Sequence, residues 1–265
     1  MPDRIRGKDN HYDKLYALMK VLREECPWDR EQTLLSLRRY TLEEVHEVIE
    51  AIELADSTDD WQPLKNELGD LLIQVLFYSR IAEEAGKFNL ADVIDALVEK
   101  MIYRHPHVFD DANPDDLTDQ WNSLKDGEHS ERTSLMDGIP PLPALKYAQK
   151  QQQRAARVGF DWTEASDVLA KMREELEELE FEVRNKSDIR RIEDEFGDVL
   201  FTLTNLARKL DLDAELCLMQ TNRKFAGRFR DMEIIADSRD LSLAEMDLDA
   251  LESLYTEAKN KSEPE

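Results

Sequence analysis

The residues Glu43-Glu44-Val45-His46-Glu47 and Glu67-Leu68-Gly69-Asp70 recur farther along the chain as Glu174-Glu175-Leu176-Glu177-Glu178 and Glu195-Phe196-Gly197-Asp198. Each half thus carries Glu-Glu-x-x-Glu, a gap, and Glu-x-Gly-Asp. On a helix, residues three apart share a face one turn above each other, so Glu44 pairs with Glu47 and Glu67 with Asp70. The same spacing pairs Glu175 with Glu178 and Glu195 with Asp198. Two such helices side by side bring four carboxylates together. That concentration of like charge is costly unless cations sit within it, and hard oxygen ligands suit Mg²⁺, with Mn²⁺ as a substitute. The duplicated pattern points to a divalent-metal site in each half.

Helices must position these carboxylates. The 265 residues include only 8 glycines and 9 prolines, apolar residues recur at three- and four-residue spacing, and no segment reads as a strand. An all-α chain is expected. A first helix through Tyr12, Leu15, Leu18, Met19 and Leu22 should stop before Cys26-Pro27-Trp28-Asp29, leaving Trp28 and Asp29 in a loop. A second is expected over about Thr33 to Ala55, and a third from Trp61-Gln62-Pro63 to Gly86. A fourth should run from Asn89, a candidate N-cap, to Arg104. From Asp110 to Pro143 the composition turns to Asp, Asn, Ser, Gly and Pro, apart from a short helical piece around Trp121 and Leu124. This divides the chain into domains 1–130 and 144–265 joined by a linker, 131–143. Beyond it the order repeats: a helix from Ala144 to Arg157, a loop Val158-Gly159-Phe160-Asp161-Trp162, a helix holding Glu174, Glu175 and Glu178, and one from Asp188 to Leu210. The last assigned helix ends in Asn222 to Arg230.

Bulk properties narrow the function. Against 35 Lys+Arg stand 59 Asp+Glu, a net charge of −24 that disfavours nucleic acid and anionic membrane as partners. Two cysteines, Cys26 and Cys217, are too few for a disulfide framework, and Cys217 reads as a small buried hydrophobe. The segment Met1 to Arg6 lacks an apolar stretch and no span approaches 18 apolar residues, so a cytoplasmic protein is expected. Aligning the halves also matches Lys100-x-x-x-Arg104 with Lys224-x-x-x-Arg228. In so acidic a chain, a duplicated basic pair following a metal site points to polyphosphate contacts.

Glutamate-rich helix faces are ordinarily just solvated. Two features argue otherwise here. Glu67, Asp70 and Asp198 lie within strongly apolar helices, and Gly69 and Gly197 each cost about 1 kcal/mol in a helix interior, for which close approach of two helices would be the reason. Glu43-x-x-His46 resembles a di-iron element, but Glu177 stands where His46 would recur. Trp28, Phe160 and Trp162 read as core or hinge residues rather than stacking platforms. No phosphate-binding glycine loop, dinucleotide fingerprint, Cys-x-x-Cys or nucleophile elbow occurs.

The chain resembles the tandem-domain MazG type of nucleoside triphosphate pyrophosphohydrolase, within the all-α NTP pyrophosphatase superfamily. The resemblance rests on Cys26-Pro27-Trp28-Asp29, Gln32-Thr33, Tyr40-Thr41-Leu42-Glu43-Glu44, Gly69-Asp70-Leu71-Leu72, Arg104-His105-Pro106-His107-Val108-Phe109, Val158 to Trp162 and Gly197-Asp198. It implies two tandem four-helix-bundle-like domains, a homodimer, and Mg²⁺-dependent cleavage of ribo- and deoxynucleoside triphosphates to monophosphate and pyrophosphate, for control of the nucleotide pool. The family's metal ligands fall on Glu175, Glu178, Glu195 and Asp198, with Glu44, Glu47, Glu67 and Asp70 as a second set. Its nucleotide contacts fall on Lys171, on the turn from Arg191 to Asp194, on Lys224 and Arg228, and on Tyr255, where relatives can carry Trp. The resemblance makes the C-terminal copy the catalytic one.

The chemistry expected from this set is in-line attack of water at phosphorus, with Glu174 orienting or deprotonating the water and Lys224 and Arg228 neutralising the departing pyrophosphate. The rival, from another class, is a regulatory protein that senses nucleotide or metal and offers its acidic face to a protein partner. Completeness of the carboxylate set in both copies favours the enzyme.

Overall fold

The computed structural model describes residues 10–109 and 133–262, and among them every regular element is helical. The chain divides into two compact units, Met1–Glu128 and His129–Glu265. The expected helical piece around Trp121 and Leu124 lies outside the described residues.

In the first unit α1 spans His11–Glu25, α2 Pro27–Glu31, α3 Leu34–Thr58, α4 Gln62–Glu84, α5 Leu90–Arg104 and α6 Pro106–Phe109. The boundaries follow local chemistry. Thr33 and Ser36 form a reciprocal capping box at the start of α3, and the Asn89 side chain accepts from the Ala91 and Asp92 amides to start α5. Gly86, at φ +64°, takes the left-handed conformation that stops α4. Trp28 and Asp29 lie in the short helix α2 rather than in a loop, because Pro27 suits an initial helical position. Arg23 holds this turn from α1, donating to the Asp29, Arg30 and Gln32 carbonyls and pairing with Glu84 at 2.6 Å. Helix α4 is the hub, packing against α1, α3 and α5. The core comprises Met19, Leu37, Leu76, Phe77 and Leu90.

In the second unit α7 spans Ala144–Ala156, α8 Ala165–Arg184, α9 Ile189–Lys209, α10 Ala214–Ser238 and α11 Leu248–Ser262, with a 3₁₀ turn at Leu243–Glu245. Helix α9 packs on α7 and α8, and α10 on α11. The sequence pattern ends α10 near Arg230 and assigns no helix after it. The structure carries α10 on to Ser238 because Met232, Ile235 and Ala236 pack against Leu254 and Ala258 of α11, the core of this end. The loop before α8 is tied down by Asp161, which accepts from Lys209 at 2.7 Å and from Arg208. Burial alone would raise the Asp161 carboxyl, but these two cations bring it below its ordinary range. No described helix is long and apolar enough to cross a membrane.

Several expectations about packing are corrected. Phe160 is 80% exposed and Trp28 and Trp162 are also exposed, so none of the three is a core residue, although the Trp28 ring meets Tyr40 and Phe77 edge-on. Cys217 is exposed, as are its neighbours Leu216 and Leu218. A Cβ at Gly69 or Gly197 would meet nothing within 4 Å, so helix approach within the chain does not demand either glycine. Asp70 and Asp198 are exposed rather than embedded, because the apolar residues beside them, Leu68, Leu72, Phe196 and Leu200 among them, are themselves exposed.

Candidate active site

Helices α3 and α4 bring one carboxylate oxygen each of Glu44, Glu67 and Asp70 within 4.8 Å of one another, and α8 and α9 do the same for Glu175, Glu195 and Asp198. The i, i+3 spacing on each helix sets which carboxylates share a face. The packing of α3 on α4 and of α8 on α9 turns those faces together. Glu47 and Glu178 are outside these triads but act on them. Lost hydration, and then the charges of Glu47, Asp70 and Glu67, hold the Glu44 carboxyl above its ordinary value. Glu67 is raised by lost hydration and by Glu47 and Asp70. Glu178 is raised by lost hydration and by Glu175, against an opposing contribution from Lys171. Such mutual repulsion, in a set made only of hard oxygen donors, is the condition that a divalent cation relieves, so both triads fit a metal ion.

The second centre has cations of its own. Lys171, one turn before Glu175, lies 2.6 Å from Glu174 and 2.9 Å from Glu175, whose hydrogen bonds raise its pKa and keep it protonated. Glu175 is only 6% exposed, so Lys171 supplies the charge that makes its burial tolerable. Arg191, on the first turn of α9, reaches across to Glu182 of α8 at 2.8 Å. Glu174, Glu177, Glu178, Phe181, Glu182, Arg191 and Glu195 line an open cleft of about 470 Å³. Lys224, Arg228 and Tyr255 are not among its lining residues, and Asp194 is exposed outside it. Tyr255 lines a second, apolar groove with Phe225 and Phe229, its ring centroid 5.8 Å from that of Phe225. Sequence reasoning misses Glu182, Phe225 and Phe229. A signal for Glu182 exists, since it continues the Glu175 and Glu178 face by one more turn.

The proton linkage of the carboxylates has a definite sign. Glu44, Glu67 and Glu178 all titrate above the ordinary glutamate value of 4.5 in the folded chain without metal. The folded state therefore holds more protons than the unfolded one above pH 4.5, and stability is lost as pH rises through the raised values. Glu84 and Asp161, which are lowered, act in the opposite sense but below their ordinary values of 4.5 and 3.8, a separate window. Metal-free protein is expected to melt higher at about pH 5 than at neutral pH, and saturating Mg²⁺ should remove the difference. A melting temperature that rises from pH 5 to neutrality without metal would contradict this.

Fold and site together define an all-α protein with interhelical carboxylate centres suited to divalent metal. Comparison with known proteins narrows the class. The MazG nucleotide pyrophosphohydrolase domain model matches residues 32–109. The nucleoside triphosphate pyrophosphohydrolase of Escherichia coli K12 is 41% identical over 262 residues, covering 95% of this chain and 98% of that one. The nucleoside triphosphate pyrophosphohydrolase/pyrophosphatase MazG of Thermotoga maritima is 43% identical over 256 residues, covering 95% and 97%. The nucleoside triphosphate pyrophosphohydrolase of Mycobacterium tuberculosis is 41% identical over 163 residues, 60% of this chain and 48% of that one. The chain belongs to the MazG family of nucleotide pyrophosphohydrolases.

Proposed function

We propose that the chain hydrolyses ribo- and deoxynucleoside triphosphates to the monophosphate and pyrophosphate with Mg²⁺, in control of the nucleotide pool, and that the centre in 144–265 is the catalytic one. The observation that carries this reading is the acidic cleft between α8 and α9, with Lys171 and Arg191 beside the Glu175, Glu195 and Asp198 triad. Carboxylates alone would repel a triphosphate, whereas carboxylates for metal with cations alongside can hold one. Glu175, Glu178, Glu195 and Asp198 would hold the metal, which supplies charge neutralisation and Lewis acidity at phosphorus.

The chain's own residues do the rest. Glu174, exposed at the cleft and paired with Lys171, orients the attacking water or takes its proton. Lys171, Arg191 and Asp194 contact the nucleotide from one side, and Lys224 and Arg228 of α10 stabilise charge on the leaving pyrophosphate. Tyr255, in the apolar groove with Phe225 and Phe229, stacks on the base. Such a groove reads a flat apolar face rather than a hydrogen-bond pattern, which suits broad base tolerance. The protein works as a homodimer. Leu176, Phe196, Leu200 and Leu203, all on α8 and α9, remain exposed in one chain and offer apolar surface for a second copy to cover.

The test is product analysis with each common ribo- and deoxynucleoside triphosphate, with and without Mg²⁺. Equal amounts of monophosphate and pyrophosphate, formed only with metal, are expected. Diphosphate plus phosphate would place the cleavage at another bond, and no turnover of any nucleotide would remove the reading. The same preparation should sediment at twice the chain mass of 30.9 kDa; a turning-over species of single-chain mass would remove the dimer.

A further inference from the structure

Glu182 is the most deeply buried carboxylate of the cleft, at 4% exposure. One of its oxygens pairs with Arg191 at 2.8 Å, while the other, Oε2, is buried without a hydrogen-bond partner among the described residues. A buried carboxylate with an unfilled acceptor is destabilising and calls for a reason. Geometry offers one. Glu182 follows Glu178 by one turn on α8, and Arg191 precedes Glu195 by one turn on α9, so the pair bridges the two helices immediately beside the carboxylate triad. The Arg191 side chain is 66% exposed although its partner is buried, so a guanidinium anchored from below still presents N–H groups to the cleft. The free Oε2 leaves an acceptor for a second guanidinium N–H, the arrangement that fixes an arginine's plane.

The first centre lacks this device. Superposing the motifs on Glu44 and Glu175 sets Ala51 against Glu182 and Tyr40 against Lys171, and superposing them on Glu67 and Glu195 sets Pro63 against Arg191. Ala51 is buried, and Tyr40 packs edge-on to Trp28 at the margin of the core. Three polar positions around the second triad are thus replaced in the first by residues that build core or start a helix.

We propose that Glu182 is a positioning residue for the triphosphate: it fixes Arg191 over the cleft in the orientation that receives phosphate oxygens, and the lack of this pair and of Lys171 leaves the first centre able to hold metal but not nucleotide. This rests on the hydrolase reading above. Mutation of Glu182 acts through Arg191 and leaves the metal ligands in place.

The experiment compares the full chain with Glu182→Ala, Glu182→Gln, Arg191→Ala and the double variant Glu182→Ala/Arg191→Ala. Three quantities are read: KM and kcat for a triphosphate with Mg²⁺, calorimetric affinity for a triphosphate with a methylene bridge between the α and β phosphorus atoms, and affinity for Mn²⁺ alone. Glu182→Ala should raise KM and weaken analogue binding about 10- to 100-fold, the range for hydrogen bonds to charged groups, with a smaller change in kcat. Mn²⁺ affinity should hold within about twofold, and Glu182→Gln, which retains an acceptor for Arg191, should recover part of the loss. The double variant should be no worse than Arg191→Ala, since the two residues act as one unit. Wild-type analogue affinity in Glu182→Ala, equal losses of Mn²⁺ and analogue, or losses that multiply in the double variant would each overturn the positioning role. Analogue bound at both centres of the wild-type chain would overturn the contrast between them. A wild-type chain that cleaves no triphosphate would remove the hydrolase reading itself, whereas cleavage by the wild type with no effect of Glu182→Ala would remove the inference alone.

Discussion

Replacing Asp198 with alanine is expected to lower kcat/KM by about a thousandfold or more while the metal-free protein becomes no less stable. Asp198 is one of the three carboxylates of the second triad, so on the function proposed above its loss removes a metal ligand from the place where the chemistry needs a fixed positive charge. Its side chain is exposed rather than packed in the core, so folding does not depend on it. Two contributions favour the variant's stability. Alanine is the better helix former by about 0.5 kcal/mol, and one of three converging negative charges is gone. Glu178→Ala should behave alike, since lost hydration and the charges of Glu175 and Glu195 raise the Glu178 carboxyl. Steady-state kinetics together with thermal melts in chelator check both halves of the prediction. Near-wild-type turnover by both variants would remove the assignment of the site.

Lys171→Met has the opposite signature. Its ammonium pairs with Glu175, so the variant leaves a deeply buried carboxylate without its compensating charge. Metal-free protein should lose about 1 to 3 kcal/mol, below the value for a fully buried pair because Lys171 itself is partly exposed to solvent. Saturating Mg²⁺ should restore most of that stability, because the cation takes over the lysine's role beside Glu175. Turnover should fall about a hundredfold at fixed substrate, as the proposed nucleotide contact and the partner of Glu174 are lost together. Melting curves with and without Mg²⁺ decide it: a loss of stability that metal does not repair would mean that Lys171 supports the fold rather than the site. The first centre provides an internal comparison. With Tyr40 in place of Lys171, Glu44 and Glu67 face Glu47 and Asp70, and both are raised with no cation among the described residues opposing the shift.

Much of the site is legible in the sequence. Residues three or four apart on a helix share a face whatever the helix packs against, so the pairing of Glu175 with Glu178 and of Glu195 with Asp198 follows from spacing alone. Caps are equally local, and Asn89 and Gly86 bound their helices as their chemistry requires. Exposure is not local. An apolar helix such as α9 looks buried in sequence, yet Phe196, Leu200 and Leu203 lie open in a single chain, and Asp198 with them. For the same reason Phe160 and Cys217, apolar by type, are surface residues.

By itself, then, the sequence determined an all-α chain, the duplicated carboxylate pattern and the kind of cation such a pattern suits, because helix periodicity and ligand hardness are properties of neighbouring residues. Only the tertiary structure decided which faces meet. It set Arg191 against Glu182 across α8 and α9, and continued α10 to Ser238 by giving it α11 to pack on. Those outcomes depend on the distance and angle between one helix and the next, which no periodicity within a single helix encodes.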